Sequence, residues 1–448
     1  MLITNGTLVT WEDENRILEG WALRIDGGLI THIGVQQDIV KQFPDEERFD
    51  AQGQFVMPGN ICAHTHFYGA YSRGMGIPGE APAGFIQVLE KLWWPLDKAL
   101  DRQSVSASAQ VCILDAIRHG TTTLFDHHAS PGFIEGSLDE IYTVVEQSGI
   151  RASLCYEITD RNGVDQAEAG IRENARFANF VLKNRPSNGR VSASFGLHAS
   201  LTVSDKTLEK SLISKPDGVG FHIHVAESEA DEYDSLAKSG LRTVDRLQKF
   251  GILGPQTIVA HAIHVDAREI ELLAESKVWV THQPRSNMNN GVGMAEVESM
   301  DRAGVKICLG NDGFSNTMWD EWKTAYLAHK LWHRDPRRMN GSLVAKMAIY
   351  QNRNLVSSQF PGLKVGILAV GAQADIILVD YHSYTPVSSG NLPWHILFGF
   401  NESMITTTMV DGVILMKDRK IICMDEEKVF ADAKKLAPDV WQRYSAQF

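Results

Sequence analysis

The sequence has few cysteines and no apolar run long enough to cross a membrane. The five cysteines are scattered, odd in number and form no C-x-x-C pair, at Cys62, Cys112, Cys155, Cys308 and Cys423. This pattern predicts free thiols in a reducing compartment rather than a disulfide framework. The apolar stretches have the length of strands, well short of the ~20 residues that span a bilayer. No basic head followed by an apolar segment is visible at the start of the sequence, so we expect a cytoplasmic protein.

Basic residues are also in deficit. The chain of 448 residues has 43 Lys and Arg against 55 Asp and Glu, a formal net charge of −12. Nucleic acids and anionic membrane surfaces attract clustered Lys and Arg, so we expect neither of them as a partner. A hydrophobic fraction of 44% and a charged fraction of 22% are ordinary for a globular protein. The chain is therefore large enough to be an enzyme.

What the sequence does contain is an alternation of short β-branched runs with amphipathic helical stretches. The candidate strands end near Ala63, Phe125, Tyr156, Leu197, Ile223, Ala260, Thr281 and Gly310. Eight strands that alternate with helices predict a parallel sheet closed into a (β/α)8 TIM-like barrel, a fold of the α/β class. We assign this barrel to residues 58–364.

The two ends of the chain have a different pattern. Residues 1–57 contain alternating strands around the turn signal Asp26-Gly27, and residues 365–448 contain strands around Asp411-Gly412. Neither end alone has enough strands for a stable sheet. We therefore predict that the two ends combine into one small β-sandwich domain beside the barrel.

Histidines and one aspartate recur at the predicted strand ends. His64 and His66 lie two apart on a strand, so both imidazoles face the same side. Such a pair alone is more often structural than metal-binding. However, His224, His261 and Asp312 also follow predicted strands, and the C-terminal ends of barrel strands converge on one mouth. Buried unpaired imidazoles and carboxylates are costly, so one shared cation explains the cluster.

Four segments with these residues, VMPGNICAHTH, HIHVAE, VAHAIH and LGNDGFSN, resemble the metal-binding segments of the amidohydrolase superfamily. Within it, the chain is similar to the branch of cytosine deaminases, S-adenosylhomocysteine deaminases and triazine hydrolases. GILAVGAQADIILVD resembles the segment that returns to the small β domain. LWWPLDKAL, DHHASP and PRSNMNN are most similar to the SsnA-type aminohydrolases. The resemblance covers nearly the whole chain.

The resemblance implies a set of metal ligands and catalytic groups. His64, His66, His224 and Asp312 would hold one divalent ion per chain, which we expect to be Zn²⁺, with Fe²⁺ or Mn²⁺ as alternatives. His261 would lie at the metal or at its bound water. Asp312 would take a proton from that water. Glu227, in H-x-x-E spacing after His224, would act as general acid and base. Without that spacing, Glu227 would be interpreted as a solvated loop carboxylate.

Six further residues near the predicted mouth are candidates for substrate binding. They are His198, which resembles a substrate-contacting histidine of the family, and His127, His128, Ser286, Asn287 and Trp93. For each of them a structural role is the alternative, as a core histidine, a loop-shaping residue or a packing aromatic. No lysine at the end of the fourth strand is placed to bridge two metals, which favours a mononuclear centre.

The function implied is hydrolytic deamination of an aminated N-heterocycle of purine, pyrimidine or triazine type. Displacement of chloride or an alkylamine from a triazine ring is one alternative. Ring-opening hydrolysis of a cyclic amide, with two metals, is another, and a binding or assembly protein with an unused site is a third. We expect a small heterocyclic substrate as the partner, and a homodimer by default.

Overall fold

The computed structural model describes residues 1–184 and 189–448. The strands are Leu2–Val9, Ile17–Asp26, Leu29–Val35, Arg48–Asp50, Phe55–Pro58, Asn60–Thr65, Thr121–Asp126, Arg151–Leu154, Val191–Ala193, Phe195–Ala199, Phe221–Val225, Ile258–His261, Trp279–His282, Lys306–Leu309, Ile376–Val379, Ile405–Val410, Val413–Lys417 and Lys420–Ile421.

The longer α-helices are Gln36–Gln42, Arg102–Arg118, Ser137–Ser148, Val164–Asn184, Asp205–Ser214, Glu229–Ser239, Thr243–Lys249, Ala267–Glu275, Pro284–Asn290, Met318–His333, Asn352–Gln359, Leu392–Phe398 and Glu426–Ser445. Short α-helices span Phe85–Val88, Trp94–Ala99, Val297–Arg302 and Gly341–Ala345. Helical turns of other types span Phe67–Ser72, Leu89–Trp93, Ser200–Thr202, Lys346–Gln351 and Glu402–Met404. Among the helices in the described part of the chain, none combines the length and apolar character that crossing a bilayer requires.

Two parallel sheets form the centre of the molecule. Four strands from Asn60–Thr65 to Val191–Ala193 pair in chain order, and five strands from Phe195–Ala199 to Lys306–Leu309 do the same. Only Ser194 separates the two sheets along the chain, and its amide donates to Leu154 O at 3.1 Å. Val191–Ala193 and Phe195–Ala199 are thus two pieces of one strand. The result is the predicted α/β barrel of eight parallel strands.

The barrel closes where the last strand meets the first. The amides of Asn311 and Asp312 donate to the carbonyl of His64 at 2.9 and 3.1 Å. Gly310 permits this contact, because a Cβ there would lie 2.8 Å from the backbone nitrogen of His64. The closure therefore brings the aspartate that follows the eighth strand against the histidine of the first.

Strands from both ends of the chain form one nine-stranded sheet beside the barrel. Phe55–Pro58 pairs in parallel with Leu2–Val9 and antiparallel with Ile376–Val379, and so joins the N-terminal strands to the C-terminal ones. Both ends therefore share a sheet, as expected. The sandwich arrangement, and the division into residues 1–57 with 365–448 and residues 58–364, stay predictions.

A buried ion network connects this sheet to the barrel. Arg151, the first residue of the third barrel strand, is fully buried. Its Nε and Nη2 donate to the two carboxylate oxygens of Asp375 at 3.0 and 3.1 Å, and Nη2 also donates to Asp411 at 2.6 Å. Asp375 precedes Ile376–Val379, and Asp411 lies in the turn before Val413–Lys417. One barrel side chain thus holds two segments of the terminal sheet.

Candidate active site

Four side chains from three barrel strands meet at the C-terminal mouth. Oδ1 of Asp312 lies 3.0 Å from His64 Nε2 and 2.9 Å from His66 Nε2. His224 Nε2 lies 3.3 Å from His66 Nε2. One ligand atom of each residue lies within 4.8 Å of the others. The barrel therefore assembles three imidazoles and one carboxylate around a single point, as the strand-end pattern predicted.

Hydrogen bonds behind the imidazoles determine which ring nitrogen faces that point. His66 Nδ1 donates to the carbonyl of His127 at 2.5 Å, and His224 Nδ1 donates to the carbonyl of His198 at 2.8 Å. The proton therefore sits on Nδ1, and the Nε2 lone pair faces the cluster. Metal-binding histidines are oriented in this way in proteins, because the outer hydrogen bond selects the tautomer that can ligate.

The electrostatics of the cluster fit a divalent cation. Burial lowers the pKa of His64 to about 3 and holds that of His224 well below its usual range, so both rings are neutral ligands. Burial opposes ionisation of Asp312, but His261, His64 and His66 hold its pKa well below the usual range. Burial also opposes charge on His66, but the hydrogen bond and charge of Asp312 raise its pKa to about 9, so His66 frees its Nε2 lone pair by releasing a proton when it ligates a cation. Buried imidazole nitrogens around an ionised carboxylate are the donor set of zinc or iron sites.

His261 and Glu227 stand on the other side of Asp312. His261 Nδ1 donates to Asn287 Oδ1 at 3.1 Å, and its buried Nε2 has no hydrogen-bond partner among residues 1–184 and 189–448. That nitrogen lies 3.5 Å from Glu227 Oε2 and 3.8 Å from Asp312 Oδ2. Burial, with repulsion by Asp312, raises the pKa of Glu227 well above its usual range. The surroundings of these two neighbouring carboxyl groups thus push their pKa values in opposite directions, upward for Glu227 and downward for Asp312.

Two of these residues have strained backbone. His261 has a φ of 75° and Asp312 a φ of 56°, in the left-handed region that L-residues rarely adopt. Such positions cost about 1–3 kcal/mol each and persist where surrounding contacts enforce them. Here the amide of Asp312 donates to His64 O at 3.1 Å, and the amide of Ala262 donates to Val225 O at 3.0 Å. The strain turns both side chains into the mouth.

The predicted substrate residues divide into two groups. His198 and Trp93 line the cavity that opens beside the cluster. Ser286 instead donates to Asp312 Oδ2 at 2.5 Å, and Asn287 holds His261 as described above. His127 and His128 are fully buried, His128 with Nε2 2.8 Å from Ser130 Oγ. The geometry places these last four behind the reacting groups, and a substrate contact for any of the six stays a prediction.

The cavity wall also includes residues that the sequence pattern did not single out. Glu157, Tyr68 and Asp97 line it with the residues above. Glu157 comes directly after the predicted end of the third strand, so the rule that selected His198 would have found it. Burial raises the pKa of Asp97 to about 7, although the charge of Arg161 beside it acts in the opposite direction. Asp97 lies within LWWPLDKAL, a segment that the motif resemblance included without assigning a role to this residue.

A parallel eight-stranded barrel with this donor set at its mouth defines the class of metal-dependent hydrolases. Residues 55–415 match the amidohydrolase family, and the chain belongs to that family. The family resemblance inferred from the motifs is therefore confirmed. The protein is an enzyme, a hydrolase of non-peptide C–N bonds of the deaminase kind.

Relatives and a solved structure match along the whole chain. A 5'-deoxyadenosine deaminase of Methanosarcina mazei is 32% identical over 451 residues, covering 100% of this chain and 99% of the relative. A 5-methylthioadenosine/S-adenosylhomocysteine deaminase of Pelotomaculum thermopropionicum is 28% identical over 448 residues, 98% of each chain. The crystal structure of an adenosine deaminase from Xanthomonas campestris with bound zinc has a TM-score of 0.85 at 23% identity, covering 98% of both chains. The last comparison shows the shared fold.

Proposed function

We propose that the protein hydrolytically deaminates the adenine ring of an adenosine-type nucleoside and releases ammonia. The observation that carries this proposal is the pair of carboxyl groups at one point of the mouth, with Glu227 Oε2 at 3.5 Å and Asp312 Oδ2 at 3.8 Å from His261 Nε2. Deamination needs an acid and a base there, and groups whose surroundings push their pKa values apart fill those roles. The two relatives above are named as deaminases of adenosine derivatives, which supports the choice of ring.

We assign the cation to His64, His66, His224 and Asp312, one Zn²⁺ per chain. When bound, a divalent cation lowers the pKa of a water molecule to about 7, so that a nucleophile is available at neutral pH. His261 Nε2, buried and without a hydrogen-bond partner in the described residues, points toward the same place and would polarise the oxygen that attacks the ring.

The two carboxyl groups then divide the proton transfers. Asp312 accepts a proton from the attacking water through Oδ2, the oxygen that Ser286 orients. Glu227 donates its proton to the ring nitrogen beside the attacked carbon, takes up the remaining proton of the added oxygen and transfers that proton to the exocyclic amine. The proton held by Asp312 then returns Glu227 to its acid form. The C–O bond forms, the C–N bond breaks, and ammonia leaves. Asn290 Nδ2, 3.5 Å from Glu227 Oε1, holds the acid in position.

The test is the Glu227→Gln variant, which preserves shape but removes the acid. We expect an unchanged metal content near one ion per chain, and a loss of turnover on the order of 10²- to 10⁴-fold. Turnover is measured as ammonia release from adenosine, 5'-deoxyadenosine and 5'-methylthioadenosine. Glu173→Gln is the control, because Glu173 is a buried carboxylate outside the mouth, where it accepts from Leu138 N at 3.1 Å.

Retained turnover in Glu227→Gln would remove this residue from the mechanism. Two metal ions per chain without ammonia release would favour ring opening of a cyclic amide instead. We further propose a cytoplasmic location, a homodimer, a small heterocyclic molecule as the partner rather than nucleic acid or membrane, and the β-sandwich arrangement of the terminal segments.

A further inference from the structure

Glu157 lies on the cavity wall but has no part in the mechanism above. It follows the third barrel strand, Arg151–Leu154, and is 2% exposed. Its Oε1 lies 3.0 Å from His127 Nδ1 and 3.6 Å from His66 Nδ1. The carboxylate therefore sits on the side of His66 that faces away from the metal cluster, at the edge of the substrate cavity.

The contacts of His127 make Glu157 a hydrogen-bond acceptor. His127 Nε2 donates to the carbonyl of His222 at 3.0 Å, and a carbonyl only accepts. Nδ1 of the same ring donates to Oε1 of Glu157. Glu157 lines the cavity, and its Oε2 accepts no hydrogen bond from residues 1–184 and 189–448. A carboxylate oxygen that faces the cavity loses its water when a molecule binds there, so a donor on the bound molecule is its natural partner.

Of the other carboxylates on the wall, Asp97 keeps one oxygen, Oδ1, without a hydrogen-bond partner among the described residues, whereas the rest are engaged. The two oxygens of Asp231 accept the amides of Ala226 and Leu201, each at 2.7 Å. Asp97 is paired with Arg161. Glu227 and Asp312 are assigned to the reaction itself. Glu157 thus has an oxygen available for recognition.

We propose that Glu157 determines specificity by binding a hydrogen-bond donor of the substrate through Oε2. This inference rests on the proposed function and adds what the bound molecule must present. The N3 and N7 atoms of adenine are acceptors, so they do not satisfy a carboxylate. The donor is therefore a sugar hydroxyl of a nucleoside or an N–H of a ring such as guanine. Both sources share the same chemistry, a neutral O–H or N–H donor directed at an anionic oxygen.

The experiment compares Glu157→Gln with Glu173→Gln and the wild type, all as metal-loaded enzymes. Two ligand pairs separate a sugar hydroxyl from a ring N–H as the donor: adenosine with 2',3'-dideoxyadenosine, and 9-methylguanine, which has an N1–H, with 9-methyladenine, which has no ring N–H. We measure kcat/KM by ammonia release, dissociation constants by calorimetry, and metal content. For the donor-bearing member of one pair, Glu157→Gln should lower kcat/KM or affinity by about 10- to 100-fold, the range of a hydrogen bond to a charged group. The other member should change by less than about 3-fold.

The pair in which Glu157→Gln weakens only the donor-bearing member shows whether the donor is a sugar hydroxyl or a ring N–H. Equal losses on both members of both pairs would overturn the proposal, because Glu157 would then act only through His127. No loss on any compound would overturn it as well. If the wild type releases no ammonia from any of these compounds, the proposed function is wrong. The role of Glu157 is then decided by comparing the dissociation constants of Glu157→Gln and the wild type for each compound. A wild type that binds none of the four compounds refutes both. Glu157→Asp, which keeps the charge but shortens the reach, replaces Glu157→Gln if that variant does not fold.

Discussion

The Arg151 network should be a main energetic link between the barrel and the terminal sheet. We consider Arg151→Met, which keeps a long side chain but removes the guanidinium. In the wild type this group is fully buried and donates to Asp375, Asp411 and the carbonyl of Gly189, the last at 3.0 Å. Methionine fills part of the space and satisfies none of these acceptors. The variant therefore leaves two carboxylates without their counter-ion.

The magnitude follows from what remains after the substitution. Breaking a buried ion pair by removing one partner costs about 3–5 kcal/mol, because the other charge stays buried and unpaired. Asp375 keeps one bond, from the amide of Asp411 at 2.9 Å, and the Asp411 side chain is 14% exposed. Both facts favour the lower half of the range. We expect a loss of about 3 kcal/mol in the free energy of unfolding.

Denaturant unfolding of the metal-loaded enzyme, followed by circular dichroism and by tryptophan fluorescence, measures this loss. Arg102→Met is the control, because the ion pair of Arg102 with Glu140 is at the surface and its side chain is 72% exposed. Such a pair adds little to stability. Adding Asp375→Asn to Arg151→Met should recover part of the loss, since it removes one uncompensated charge. A loss below about 1 kcal/mol, or one equal to that of the control, would refute this reasoning.

Three further outcomes are expected. Asn287→Ala should lower turnover about 10- to 100-fold with metal retained, because His261 loses its orienting hydrogen bond; an unchanged rate of ammonia release would contradict this. Because Glu227 must carry a proton and its pKa is raised, kcat should fall as pH rises through that pKa; a profile flat on the alkaline side argues against it. AMP should react at least ~10-fold more slowly than adenosine, since the described cavity lining contains five carboxylates and no Lys or Arg; similar kcat/KM values would disprove this.

The barrel was predictable because its signals are local. Strand ends predicted at Ala260 and Thr281 lie one residue from the observed ends at His261 and His282. The helix Arg102–Arg118 also begins at a local signal, the capping box formed by Asp101 and Ser104. Period-2 alternation and capping depend on residues a few positions apart, so they are visible in a single sequence.

The metal cluster was predictable for a second reason. Parallel strands that alternate with helices place all their C-terminal ends at one mouth, so residues far apart in sequence can be assigned to one site. His64 and Asp312, 248 positions apart, meet at 3.0 Å for this reason. The motif resemblance then assigned the roles, including that of Glu227.

The sequence by itself therefore determined the fold class, the strand ends and the residues that can ligate a metal. Only the tertiary structure decided which ring nitrogen of each histidine faces the cluster, since carbonyls of His127 and His198 make that choice. It also turned Ser286 and Asn287 toward Asp312 and His261 rather than toward the cavity, and placed Glu157 on the wall. These side-chain orientations depend on hydrogen bonds between strands, and the register of the strands is set when the barrel closes. No local periodicity in the sequence encodes these hydrogen bonds.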